Sequence, residues 1–163
     1  LFEMIDEMQV NPESISLEIT ESVFTSNYEE VNRVLGELMK AGIHIAIDDF
    51  GTGYSSLGYL KRFPIGAIKL DQSFVQHIPV CPDDSAIAMS IISLGRALKL
   101  RVVAEGVETQ EQLSFLRDHG CHEAQGFLFG YPAHADEITK TLQKPHRPEI
   151  ARFFRNHREL KHC

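Results

Sequence analysis

His44-Ile45-Ala46-Ile47-Asp48-Asp49-Phe50-Gly51-Thr52-Gly53 begins as a β-strand and ends in residues that a strand core rejects. The apolar, β-branched start suits a buried strand. The two aspartates do not, because burying an unpaired carboxylate costs several kcal/mol. They therefore mark the carboxyl end of the strand, where a glycine loop leads the chain out. The same profile recurs along the sequence. Strands expected at 16–20, 44–48, 67–70, 101–104 and 123–127 each reach a charged or amide residue at or near their carboxyl ends: Glu18, Asp48 with Asp49, Lys69, Glu105 and Gln125.

Helical periodicity fills the gaps. Val31, Val34, Leu35 and Leu38 predict a helix over 27–41; Ile87, Ile91, Leu94 and Leu98 predict one over 84–98; Leu113 and Leu116 predict one over 110–118. Ser26 with Glu29 and Thr109 with Gln112 read as capping boxes, and Gly42 and Gly120 as left-handed helix stops. Strand and helix alternating in this way favour parallel pairing with crossovers. The fold class is α/β, and convergence of five polar strand ends fits either the rim of a parallel barrel or the crevice of an open sheet.

Composition sets the class. The chain has 163 residues, 43% hydrophobic and 24% charged, with a net charge of −7. Residues 1–142 carry ten basic against twenty-one acidic residues, whereas 143–163 carry six basic against two acidic. An acidic body argues against binding a nucleic-acid duplex, which needs cationic side chains to replace phosphate counterions. An anionic ligand would have to be met by metal ions instead. Cys81, Cys121 and Cys163 form no CxxC pair, and reduced thiols in a cytoplasmic compartment are expected. No run reaches the roughly 18 apolar residues of a membrane helix. Leu1, Phe2, Ile5 and Met8 already repeat at helical spacing, as in a chain that begins inside a helix and is part of a longer protein.

Glu18, Asp48, Asp49 and Glu105 are hard oxygen ligands and suit Mg²⁺ or Mn²⁺. Held close together they would repel one another unless cations lay between them. The adjacent aspartates invite a two-metal site able to activate water for phosphodiester displacement. Lys69 would orient that water or neutralise developing charge, or be paired structurally with a neighbouring carboxylate. Gly51, Thr52 and Gly53 would let backbone approach a ligand, or form a plain tight turn; with Ser56 at the third position this is no dinucleotide fingerprint. A helix starting near Ser55 would add amide donors, and Glu108 could support the site or sit favourably at a helix N-terminus.

Five ordered motifs carry a resemblance: Glu18-Ile-Thr-Glu21, Asp48-Asp-Phe-Gly-Thr-Gly-Tyr-Ser-Ser56, Ile68-Lys-Leu-Asp71, Val103-Ala-Glu-Gly-Val-Glu-Thr109 and Ala124-Gln-Gly-Phe127. Together they strongly resemble the EAL-domain cyclic-di-GMP phosphodiesterases of bacterial signalling, over about residues 1–142. The resemblance implies a TIM-like barrel, incomplete here with about five of eight strands. Residues 1–142 would be the carboxyl-terminal two-thirds of the domain, and 143–163 a basic tail. It implies hydrolysis of cyclic di-GMP to linear pGpG with two Mg²⁺ or Mn²⁺ ions. Carried over by motif, Glu18, Asp48, Asp49 and Glu105 resemble the metal ligands, with Asp48 bridging. Lys69 resembles the residue holding the nucleophilic water, and Glu105 a candidate general base. Glu21 resembles the acid steadying the loop that contains Gly51, Thr52 and Gly53, and Gln125 the amide of the strand-end site.

The partners implied are cyclic di-GMP, a second copy of the protein, and a sensory or GGDEF-type domain upstream. The family's Glu-Ala-Leu and Asn-x-Ser motifs would lie before Leu1, so little activity is expected of these 163 residues alone. The segment Phe129-Gly-Tyr131-Pro132 has tyrosine where a basic residue often precedes the proline. A non-catalytic cyclic-di-GMP receptor or interaction module is the alternative, and an enolase-type lyase fits the paired aspartates poorly. The localisation expected is cytoplasmic, with membrane anchoring of a full-length parent left open.

Overall fold

Burial and pairing, strand by strand, give five parallel strands lying side by side in chain order. A computed structural model describes residues 1–25, 27–52 and 57–143. Helix α1 (Phe2–Glu7) leads to strand β1 (Ser16–Thr20), α2 (Tyr28–Lys40), β2 (His44–Phe50) and α3 (Leu57–Leu60). Then follow β3 (Ala67–Leu70), α4 (Gln72–Val75), α5 (Pro82–Ala97), β4 (Arg101–Ala104), α6 (Gln110–Asp118), β5 (Glu123–Ala124) and α7 (Ala135–Gln143). The sheet order is β1-β2-β3-β4-β5, every pair parallel, as successive strand–helix units produce.

The core sits between the sheet and its helices. Ile45, Ile47, Ile68, Leu70, Val102 and Ala104 are buried on one face of the strands, with Ala88 and Ile92 of α5 and Leu113 and Leu116 of α6 also buried. Period-two alternation sends Glu18, Asp48 and Lys69 to the other face. All four residues of the central strand β3 are buried, while edge strand β1 alternates exposed and half-buried.

Several expectations change in detail. The strand expected at 123–127 ends at Ala124, because Gly126 takes φ +153° and the chain curls over Val107, whose amide donates to the Gln125 carbonyl at 3.0 Å. The strand expected at 44–48 runs on to Phe50 across a bulge. Helix α2 is capped from Asn27 without a side-chain cap bond, and Ser26 lies outside the described residues. So do Gly53, the helix start proposed near Ser55, and nearly all of the 143–163 tail. The Thr109–Gln112 capping box is present, and Gly42 and Gly120 have φ +95° and +80°.

Candidate functional site

Strand geometry alone would send Asp48 and Asp49 to opposite faces of the sheet. Two features bring them together. Ile47 pairs with Ile68 but Phe50 with Leu70, so β2 carries one extra residue against β3. Asp49 takes φ 52°, a left-handed conformation that aspartate tolerates better than most residues. As a result, carboxylate oxygens of Asp48, Asp49 and Glu105 all lie within 4.8 Å of one another.

Lys69 projects from β3 into this cluster. Its Nζ donates to Glu18 Oε2 at 2.6 Å and to Asp48 Oδ1 at 2.8 Å, and lies 2.7 Å from Glu105 Oε1. The lysine side chain is 7% exposed, against 48% for Glu18, 26% for Asp48 and 15% for Glu105. Burial by itself pulls the ammonium pKa down, but hydrogen bonds to Asp48, Glu105 and Glu18 outweigh it and hold the group above its ordinary 10.5. Burial lifts Glu105 above its ordinary 4.5 against the opposing Lys69 bond, with the charges of Asp48 and Glu18 adding to the rise. The neighbouring Asp48 charge, then burial, then Asp71 lift Asp49 above its ordinary 3.8.

The remaining expected residues surround this centre. Gln125 donates from Nε2 to Glu105 Oε1 at 2.9 Å. Glu21 Oε1 accepts from the Gly51 amide at 3.1 Å, holding the loop that follows the aspartates. Thr52 is exposed, and its hydroxyl donates to the Asp49 carbonyl at 2.9 Å, which closes the turn. Glu108 is exposed and lines the cleft through its side of the loop.

The cleft is an open cavity of about 530 Å³ that includes Asp49, Asp71, Glu105, Glu108 and Gln125 in its walls, and no basic side chain among the described residues. Asp71, quoted in the third motif but given no role there, sits one residue beyond β3, caps α4 by accepting from the Ser73 amide at 2.9 Å, and lies close enough to Asp49 to raise its pKa. Its signal was available: an acid two residues past Lys69, immediately after the strand ends at Leu70. Phe127 and Tyr131 also line the cavity and stack on each other, centroids 4.7 Å apart at 25°, while 51% and 72% exposed. Exposed stacked rings offer a planar face for a heterocycle.

The donor set fits divalent cations. Among the described residues Glu18, Asp48 and Glu105 share Lys69, with Asp49 beside Asp48 and Glu105, and Asp71 beside Asp49. All the donors are hard oxygens, and no cysteine or histidine joins the cluster of three metal-competent residues found among the described residues.

Comparison with known proteins bears on the same span. A family model described as EAL domain matches residues 1–132. The cyclic di-GMP phosphodiesterase NbdA of Pseudomonas aeruginosa is 48% identical over 118 residues, covering 72% of this chain and 15% of NbdA. The bifunctional diguanylate cyclase/cyclic di-GMP phosphodiesterase MucR of the same organism is 45% identical over 133 residues, covering 82% of this chain and 19% of MucR. The chain thus spans under a fifth of either curated relative. The solved PaMucR phosphodiesterase in complex with c-di-GMP aligns at TM-score 0.79 and 42% identity, covering 84% of this chain and 56% of that one. Klebsiella pneumoniae BlrP1 in a manganese/cy-diGMP complex aligns at 0.73 and 37%, covering 80% and 33%. Among the described residues no helix is long and apolar enough to cross a membrane. The five parallel strands are accordingly part of a TIM-like barrel. Motifs, sheet and matches coincide over the same residues, and the chain belongs to the EAL domain family.

Proposed function

We propose that this chain carries the metal-binding and water-activating part of a cyclic-di-GMP phosphodiesterase, which hydrolyses cyclic di-GMP to linear pGpG with two Mg²⁺ or Mn²⁺ ions. The observation that carries the reading is the convergence of Asp48, Asp49 and Glu105 oxygens within 4.8 Å beside Lys69. A phosphodiester is anionic, and the cleft walls add acids rather than bases, so substrate enters such a site only in the company of cations. The c-di-GMP and manganese complexes of the solved relatives support the same choice of ligand and ion.

In this reading Asp48, Asp49 and Glu105, joined by Glu18 from β1, would hold the ions. Two such ions supply Lewis acidity for an in-line displacement at phosphorus. Lys69, freed from part of its carboxylate cage, donates to the attacking water and fixes its approach. Glu105 takes up the water's proton, and the Gln125 amide holds its orientation. Phe127 and Tyr131 stack a guanine base, a contact worth about 1–3 kcal/mol. Glu21 holds the loop that follows the aspartates, and Glu108 lines the cleft from the 105–109 loop. The same reading assigns residues 1–142 to the phosphodiesterase domain and 143–163 to a basic extension. It also gives the intact protein a homodimeric form, a GGDEF-type or sensory domain upstream, and a cytoplasmic working compartment.

Asp48→Asn in the intact protein tests the assignment. Turnover to pGpG, followed by chromatography in Mn²⁺, is expected to fall below detection with little change in thermal stability, because the substitution keeps shape and removes only charge. Normal hydrolysis by this variant would defeat the proposal. Tight binding of cyclic di-GMP by the unaltered protein in Mg²⁺ without any pGpG would replace it with a receptor.

A further inference from the structure

Gln112 makes more contacts than a helix cap requires. Among the described residues it is one of three buried polar or charged side chains, with Lys69 and Ser85, and it is 5% exposed. A capping box needs the Thr109 side chain on the Gln112 amide and the Gln112 side chain on the Thr109 amide, and both are present at 3.2 and 3.0 Å. Two further bonds do not follow from capping. Gln112 Oε1 also accepts from the Glu108 amide at 2.8 Å, and Nε2 donates to the Gln76 carbonyl, 36 residues away at the end of α4, at 3.1 Å.

These bonds join the two loops that frame the carboxylate cluster. The 105–109 loop starts at Glu105, whose amide donates to the Leu70 carbonyl at 3.1 Å, and it then runs along α4. Contact there is so close that a Cβ on Gly106 would lie 2.7 Å from Gln72 Cβ. Helix α4 in turn begins from Asp71, which lines the same cleft as Asp49. One carboxamide therefore ties the segment bearing Glu105 to the segment bearing Asp71.

We infer that Gln112 is a positioning residue for the cation site: it fastens the 105–109 loop to α4 and thereby fixes where Glu105 stands relative to Asp48 and Asp49. It touches neither ion nor substrate and acts only through the loop. The inference rests on the divalent-cation reading given above.

The test is Mn²⁺ binding by the intact protein, read from the electron paramagnetic resonance signal of free Mn²⁺, alongside thermal unfolding in chelator. Gln112→Leu removes every side-chain bond; Gln112→Glu keeps the acceptor oxygen and loses the donor to Gln76. Gln112→Leu is expected to weaken Mn²⁺ binding by about tenfold or more, with Gln112→Glu between it and the unaltered protein. The value of kcat for cyclic di-GMP should fall in the same order while KM holds. Should Gln112→Leu fail to fold, Gln112→Glu carries the comparison alone. Mn²⁺ affinity unchanged in the folded variants, with only melting temperature lowered, would reduce Gln112 to a structural cap and overturn the inference. Absence of Mn²⁺ binding by the unaltered protein would overturn the cation reading, and this inference with it.

Discussion

Lys69 and its three carboxylates illustrate how much a single residue can be constrained. An ammonium at 7% exposure has lost most of its water, and three oxygens at 2.6–2.8 Å replace it. Removing one partner from a buried ion pair costs about 3–5 kcal/mol, and exposure of Glu18 reduces that here. We expect Lys69→Met to destabilise the metal-free protein by about 2 kcal/mol. The pH dependence identifies the cause. Because the folded pKa lies above 10.5, the contribution of Lys69 is fully present below that value and is lost as pH climbs through the raised one. The melting-temperature gap between the unaltered protein and the variant in chelator should therefore be level across the neutral range and narrow above pH 10.5. A gap that widens with alkali would show that the cage does not stabilise the fold through this charge.

At the scale of elements, loops meet where the strands end, and the sequence reveals these junctions unevenly. Gly126 is the sharpest case: a Cβ there would lie 2.3 Å from both the nitrogen and the oxygen of Val107, which are backbone atoms that cannot swing aside. Gly126→Ala should cost more than about 2 kcal/mol in chemical denaturation and disturb Glu105 through the loop that Val107 shares with it. A near-neutral effect would mean that the two loops are not in contact. What was legible in the sequence was local. The capping box at Thr109 and Gln112 needs only residues three apart, and four of the five strands were placed from their own apolar runs. Polar strand ends were legible too, because a charged residue in a strand core is an anomaly wherever it occurs. Features that depend on a neighbouring strand or loop were not. The bulge that brings Asp48 and Asp49 onto one rim exists only against β3, and the shortening of β5 to Ala124 comes from the loop crossing at Val107. Asp71 and Gln112 acquire their further roles from α4, a four-residue helix with too little periodicity to read.

Across the whole molecule, the sheet ends in strands that have a neighbour on one side only. Among the described residues β1 pairs with β2 alone, and its Leu17 and Ile19 are only partly buried; β5 pairs with β4 alone. A free edge offers unpaired amides and carbonyls to any other chain, and this one also carries Glu18 at 48% exposure. A closed (β/α)₈ barrel removes both edges and typically takes about 250 residues. The 163 residues by themselves are therefore expected to self-associate as concentration rises in light scattering coupled to gel filtration, and to form no pGpG. Extending the chain upstream by about 80 or more residues, to barrel size, should yield a species of defined mass that turns over cyclic di-GMP in Mn²⁺. The two changes belong together because the unpaired edge at β1 is also the strand that carries Glu18, half exposed beside Lys69. A monodisperse preparation of the 163 residues with full Mn²⁺-dependent turnover would separate them, and would place the entire catalytic set on the five strands described.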